Sequence, residues 1–174
     1  MTKLNAAGKD FLRTTGITYT GFQEVLSKWG LPEDLVLGIV WVESKGDPGA
    51  LRHEPDYPHL WEVPFFAGMF HWTMNTEAEI QRFSFGLMQI MLATARWRGF
   101  SFHPKELFEP KTGLTWGCFH LSELYAKYKK WPDAVSAYNQ GSPRRSMLNA
   151  QKFKNQAYVD KVFEAAKGYC AVVE

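Results

Sequence analysis

LPEDLVLGIVWVESKGDPGA, residues Leu31 to Ala50, is the stretch on which the reading of the whole chain turns. Pro32 at a first-turn position, with Glu33 and Asp34 behind it, opens a helix. Leu35, Val36, Leu37, Ile39, Val40, Trp41 and Val42 then leave no polar side for water. A helix apolar all round is normally buried. Glu43 and Ser44 break the run, and Gly46, Pro48 and Gly49 force a turn. Glu43 therefore sits at the C-terminal end of a buried helix, where desolvation and the helix dipole both disfavour its charged form. A carboxyl with a raised pKa suits a general acid near neutral pH. The simpler alternative is that Glu43 marks the point where the helix emerges into water.

Outward from this segment the chain reads as mainly helical. At 174 residues, with 45% hydrophobic and 22% charged residues, it is long enough for one domain with one sizeable core. Helical spacing of Phe22, Val25, Leu26 and Trp29 predicts a helix before Gly30. Residues 1 to about 18 read as an irregular arm or a short first helix. A helix is expected from Pro110 to Lys130, another from Pro132 to Tyr138, and a last one from Asn155 to Tyr169. LMQIMLATARWRG, after Gly86, is also read as a helix, stopped by Gly99. Asn75 or Thr76 can cap a short helix through Ile80, and Pro104 to Phe108 suggests a single turn.

One segment departs from this pattern. Between Asp47 and Asn75 the chain carries four Pro, many aromatics and no sustained period. It reads as a long ordered aromatic loop or a short hairpin, an insertion over about residues 51 to 75. An unbroken loop of that length in a compact domain is usually functional. The aromatic content of the whole chain, 16%, is high. Core filling is its ordinary meaning, but aromatic faces also stack on sugar rings.

The chemistry classes are narrowed by what is absent. A net charge of +2 is too small to imply a nucleic-acid partner. No run of apolar residues is long enough for a membrane span. There is no glycine-rich phosphate loop and no nucleophile elbow. His53, His59, His71, His103 and His120 show no metal-ligand spacing, so no metal and no cofactor are expected. Cys118 and Cys170 fit a pair of buried free thiols or a disulfide. The N-terminal residues lack the apolar core of a secretory signal, so synthesis in the cytoplasm is expected.

Three short segments are odd for a mere scaffold: Glu43-Ser44, the Gly86-Leu87-Met88-Gln89 run, and Ala137-Tyr138-Asn139-Gln140-Gly141 at a helix end. A polar side chain inside an apolar run must find a partner or face a cleft. Together with Tyr158-Val159 these segments resemble, in order and type, the motifs of the soluble lytic transglycosylase family. The resemblance spans about residues 20 to 168, and Leu51-Arg52-His53-Glu54-Pro55 is similar to a loop of its phage and prophage branch. It implies a mainly α, α+β lysozyme-like fold in a single domain. It also implies cleavage of the β-1,4 bond between N-acetylmuramic acid and N-acetylglucosamine in peptidoglycan, leaving a 1,6-anhydro end.

By position, Glu43 matches the family's catalytic acid. Gln89, Met91, Tyr138 and Asn139 match positions that line the saccharide groove, beside Ser44. Tyr158 matches one whose hydroxyl approaches the catalytic carboxylate. Trp61, Phe65, Phe66, Phe70 and Trp72 of the insertion are expected to cover or extend the groove. Peptidoglycan strands are the expected partner, other phage proteins a further one, and a monomer the expected state. The enzyme would reach the periplasmic wall through holin release, as an endolysin, or as part of a virion. Departures exist too. The step from Glu43 to Gly86 is longer than in simple members, a family serine has no safe counterpart (Ser84 included), and Asn155-Gln156-Ala157 replaces the usual residues before Tyr158. Asp47, Glu54, Asp56 and Glu62 lie in the extra segment. A second carboxylate about 6.5–9.5 Å from Glu43 would permit hydrolysis by an activated water, as in a goose-type-lysozyme-like muramidase. A non-catalytic wall-binding or structural phage protein that kept the fold is the other alternative.

Overall fold

The computed structural model describes residues 3–169. In chain order the elements are α1 (Ala6–Thr14), α2 (Tyr19–Ser27), α3 (Glu33–Ser44), β1 (Leu51–His53), α4 (Val63–Phe70), α5 (Met74–Ile80), β2 (Phe83–Phe85), β3 (Ile90–Met91) and α6 (Leu92–Trp97). A 3-10 turn, Pro104–Phe108, leads into α7 (Pro110–Tyr128), α8 (Trp131–Gln140) and α9 (Gln156–Tyr169). The single domain is mainly α, with one antiparallel sheet ordered β1-β2-β3.

Helix α3 is the centre of the helical lobe. Leu35, Val36, Leu37, Ile39 and Val40 are buried in one core with α2, α7, α8 and α9 side chains. Its closest neighbour is α9, and Gly38 is the reason. A Cβ at Gly38 would lie 2.6 Å from the Val162 carbonyl oxygen and 3.1 Å from the Ala166 backbone nitrogen. Both are backbone atoms of a packed helix and cannot swing aside. Gly38→Ala should therefore destabilise the protein by about 1–3 kcal/mol despite the better helix propensity of alanine. Urea unfolding measures this, and a stabilised variant would show that the two helices separate freely. The helix is not apolar to water on every side: Trp41 is 39% exposed, its ring covered by the Lys45 ammonium at 4.5 Å and flanked edge-on by Phe11.

The insertion is a correction to the sequence reading. It is not a loop. β1 pairs with β2 in the register Leu51↔Phe85, Arg52↔Ser84 and His53↔Phe83, and α4 and α5 fill the connection. Val63–Phe70 is apolar at every position, so no period betrays the helix, and its ends carry Glu62 and His71 in left-handed backbone rather than glycine. The short helix after it is capped by Thr73, whose hydroxyl accepts from the Thr76 N–H, not by Asn75 or Thr76.

The insertion is fastened to the body by a buried ion pair. Glu77 of α5 and Arg96 of α6 are both fully buried and meet at 3.3 Å. Glu77 also accepts from Trp72 Nε1 at 3.0 Å and Gln81 Nε2 at 2.9 Å. The Arg96 guanidinium lies over the rings of Phe66, Phe70 and Phe100 and donates to the carbonyls of Phe100 and Phe102. The five aromatic residues expected to cover the groove are thus divided. Phe66, Phe70 and Trp72 surround this pair, while Trp61 and Phe65 remain 40% and 55% exposed.

The second correction concerns Gly86 to Met91. These residues are a hairpin, not a helix start: Phe85 pairs with Ile90 and Ser84 with Met91, and α6 begins only at Leu92. Gly86 and Gln89 both have positive φ, 68° and 47°. A Cβ at Gly86 would stand 2.4 Å from the Leu107 carbonyl oxygen, so no other residue fits there. The loop between the strands drives Leu87 and Met88 into the core.

Candidate active site

Three elements converge on Glu43. It is the penultimate residue of α3, whose end is set by Lys45 in left-handed backbone followed by Gly46. The Tyr158 hydroxyl, from the first turn of α9, donates to Glu43 Oε1 at 2.6 Å, across 115 positions of sequence. Burial raises the Glu43 pKa above the ordinary carboxylate value. The Tyr158 hydrogen bond and the positive charge of Arg52 pull it down, and the negative charge of Glu54 pushes it up. The net direction is up. The carboxyl can therefore hold a proton closer to neutrality than an exposed glutamate and still be stabilised once that proton leaves.

The neighbours of Glu43 fix the hairpin loop against the helices. The Ser44 hydroxyl donates to the Leu87 carbonyl at 2.8 Å and lies 3.1 Å from that of Val40. The Tyr138 hydroxyl, from α8, donates to the Met88 carbonyl at 2.9 Å. Burial and the nearby negative charge of Glu43 raise the pKa values of Tyr138 and Tyr158 well above the usual phenol value, so both stay protonated donors. Gln89 is the staple of the sheet. Its Oε1 accepts from Ser84 Oγ at 2.9 Å, and its Nε2 donates to the carbonyls of Ala50 and Gly86 at 2.9 and 3.0 Å. Both amide hydrogens are thereby used within the protein. Met91 is half-buried at the start of α6, and Asn139 is exposed, its Oδ1 accepting from Asn155 Nδ2 at 3.0 Å.

Two sets of residues escaped the reading of the sequence. Asn155 ties α8 to the start of α9. It accepts from Ser136 Oγ at 2.7 Å and donates to the Ser136 carbonyl as well as to Asn139. An asparagine just ahead of a helix was the available signal. Arg52 and Glu54 form an ion pair at 2.7 Å on and beside β1, and both act on Glu43 electrostatically. Glu54 was among the four acids considered as a second carboxylate. Nothing in the spacing singled it out, because its approach depends on β1 pairing with β2. Among the described residues no group of His, Cys, Asp and Glu side chains could hold a metal ion. Cys118 is a buried free thiol whose pKa is raised by burial, and Cys170 lies outside the described residues.

The Tyr158 bond gives a pH test. Its removal takes away a group that favours the carboxylate, so the Glu43 pKa rises further in Tyr158→Phe. With Glu43 read as the general acid, the limb of the rate profile that falls as it loses its proton should move to higher pH. Turnover should fall about tenfold or more, the worth of one hydrogen bond to a charged group. A pH–rate profile of the catalysed reaction checks both. Movement of that limb to lower pH would mean that Tyr158 favours the protonated acid instead.

No curated protein and no solved structure matches the chain. A family model does. The transglycosylase SLT domain matches residues 21–160, which takes in α3, the whole sheet, α8 and Tyr158 at the start of α9. The helix whose last turn carries a partly buried acid, the hairpin clamped by Ser44 and Tyr138, and the tyrosine bonded to that acid all fall inside this match, and the chain belongs to the SLT family of lytic transglycosylases, which act on peptidoglycan.

Proposed function

We propose that Glu43 is the single acid–base catalyst of a lytic transglycosylase that cleaves the N-acetylmuramic acid–β-1,4–N-acetylglucosamine bond and leaves a 1,6-anhydro-muramyl end. The observation that carries this is the placement of Glu43: a mostly buried carboxyl at the end of α3 with raised proton affinity, held by one tyrosine hydroxyl. In the first step Glu43 gives its proton to the glycosidic oxygen as the bond to the muramyl C1 breaks. The carbonyl oxygen of the 2-acetamido group of the same sugar closes on C1 and carries the positive charge. In the second step the Glu43 carboxylate takes the proton of the 6-hydroxyl while O6 attacks C1 and displaces the acetamido oxygen. Glu43 ends protonated, ready for the next turn, and no water is consumed. Tyr158 keeps the carboxyl pointed at both protons.

Mass spectrometry of muropeptides released from purified Gram-negative peptidoglycan tests the reading. Ends lighter by one water and inert to borohydride are expected. Reducing ends would mean that water attacks, with Glu54 the first base to examine.

The enzyme is further read as a phage endolysin or a virion-borne wall-degrading protein acting on the periplasmic wall. The likeness of Leu51–Pro55 to the phage branch supports this. Lysis from within only when a holin is co-expressed is the expected behaviour of an endolysin, and wall digestion by intact particles that of a virion protein.

A further inference from the structure

The segment between α8 and α9 carries a feature that peptidoglycan cleavage does not use. Met147 and Leu148 are 95% and 98% exposed, the barest large apolar side chains among the described residues. They do not sit on a loose loop. Arg145 and Phe153 form an antiparallel bridge, Ser146 N–H donates to the Lys152 carbonyl at 2.8 Å, and Lys154 N–H donates to that of Arg144 at 2.8 Å. At the tip Ser146 Oγ accepts from the Leu148 N–H, and Asn149 Oδ1 accepts from that of Gln151. The base is anchored as well. Phe153 is buried, the Arg145 guanidinium covers its ring at 3.9 Å, and Arg145 Nη2 reaches Asp133 Oδ1 at 2.8 Å. A rigid hairpin thus holds two apolar side chains away from the body, in water, at a cost that folding alone does not repay.

The charge around this tip has one sign. Residues 134 to 159 contain no Asp or Glu, while Arg144, Arg145, Lys152 and Lys154 stand in the hairpin stem. Of the two acids that bracket this segment, Asp133 is engaged by Arg145, and Asp160 accepts from Gln156 Nε2. Lys127 near the end of α7, and Lys129 and Lys130 just before α8, add further cations to the sequence ahead of α8. Lys152 and Lys154 form no ion pair among the described residues. An apolar point ringed by cations is complementary to the surface of an anionic bilayer. The side chains enter the boundary between headgroups and acyl chains while the cations meet lipid phosphates. Met147 and Leu148 carry no aromatic ring to stack on a sugar face.

We propose that the 144–154 hairpin is a membrane-docking element that seats the protein on an anionic lipid surface. No helix among the described residues is long and apolar enough to cross a membrane, so this is attachment at the surface. The hairpin joins the two helices that bear Tyr138 and Tyr158, and Gln140 and Asn155 bind it to the end of α8. Docking through it would hold the site at a fixed orientation to the membrane.

Sedimentation of the full chain with vesicles tests the proposal. Vesicles of phosphatidylglycerol and phosphatidylethanolamine are compared with vesicles of phosphatidylcholine. The wild type should sediment with the anionic vesicles, less so as salt is raised. M147S/L148S should bind at least about tenfold more weakly. K152Q/K154Q should lose the preference for anionic lipid. Met147 and Leu148 touch nothing that folding needs, so M147S/L148S should digest purified, membrane-free wall as the wild type does. Failure of the wild type to bind anionic vesicles, or equal binding by M147S/L148S, would overturn the proposal. So would a loss in M147S/L148S seen on purified peptidoglycan and not on vesicles, which would make the tip a contact for the wall polymer.

Discussion

Glu43→Gln should abolish cleavage of peptidoglycan while leaving the protein folded and able to bind glycan strands. The amide keeps the shape of the side chain and can still accept the Tyr158 hydroxyl bond, so packing at the end of α3 is kept. It cannot give a proton to the leaving oxygen or take one from the 6-hydroxyl. On the proposed mechanism one group serves both steps, so each loses its proton transfer. General acid–base catalysis contributes about 100- to 10,000-fold to a single step, so a loss at or beyond the upper end is expected. Turbidity loss of purified wall measures the rate, and pelleting with insoluble wall measures binding. Lysis by the variant at the wild-type rate would remove Glu43 from the mechanism. Loss of binding along with activity would point to damage of the groove instead.

The largest expected effect on stability lies away from the acid. Glu77→Ala removes the carboxylate that faces Arg96, Trp72 and Gln81 in a fully buried setting. The Arg96 guanidinium would then be a buried charge with no counter-ion. Its Nη2 already has no hydrogen-bond partner, and burial alone lowers its proton affinity. Breaking one side of a buried pair costs about 3–5 kcal/mol, a large share of a typical domain's stability. Replacing both partners by apolar residues costs less, because no charge is left behind. Urea unfolding of Glu77→Ala, Arg96→Met and the double variant forms the test. The double variant should lose well under the sum of the single losses. Strict additivity would show that the two side chains do not depend on each other.

How much of this was legible in the sequence depends on the range of the cause. Helices α3, α7 and α8 were legible because each combines a run of apolar residues with a local start or stop: Pro32 for α3, Pro110 for α7, Pro132 and Gly141 for α8, while α9 was legible from its apolar face alone. Helix α4 was not, because VPFFAGMF has neither a polar face nor a glycine stop. The Gly86–Gln89 turn was misread as a helix because its form is imposed from outside. Ser44 and Tyr138 hold the carbonyls of Leu87 and Met88 from positions 43 and 50 residues distant. The Glu77–Arg96 pair joins residues 19 apart that no motif connects.

The site divides in the same way. The ordered motifs brought Glu43 and Tyr158 to attention, and the structure adds the bond between them. The use of Gln89 as a sheet staple and the approach of Arg52 and Glu54 needed the pairing of β1 with β2. Asn155 needed the end of α8 to lie against the start of α9.

The central claim, that Glu43 alone serves as acid and then base with no water in the reaction, meets its most direct test in digestion of purified peptidoglycan in water labelled with heavy oxygen. Our reading requires muramyl ends that carry no label and are lighter by one water than hydrolysed ends. Label incorporated at the muramyl C1 in place of anhydro ends would contradict it.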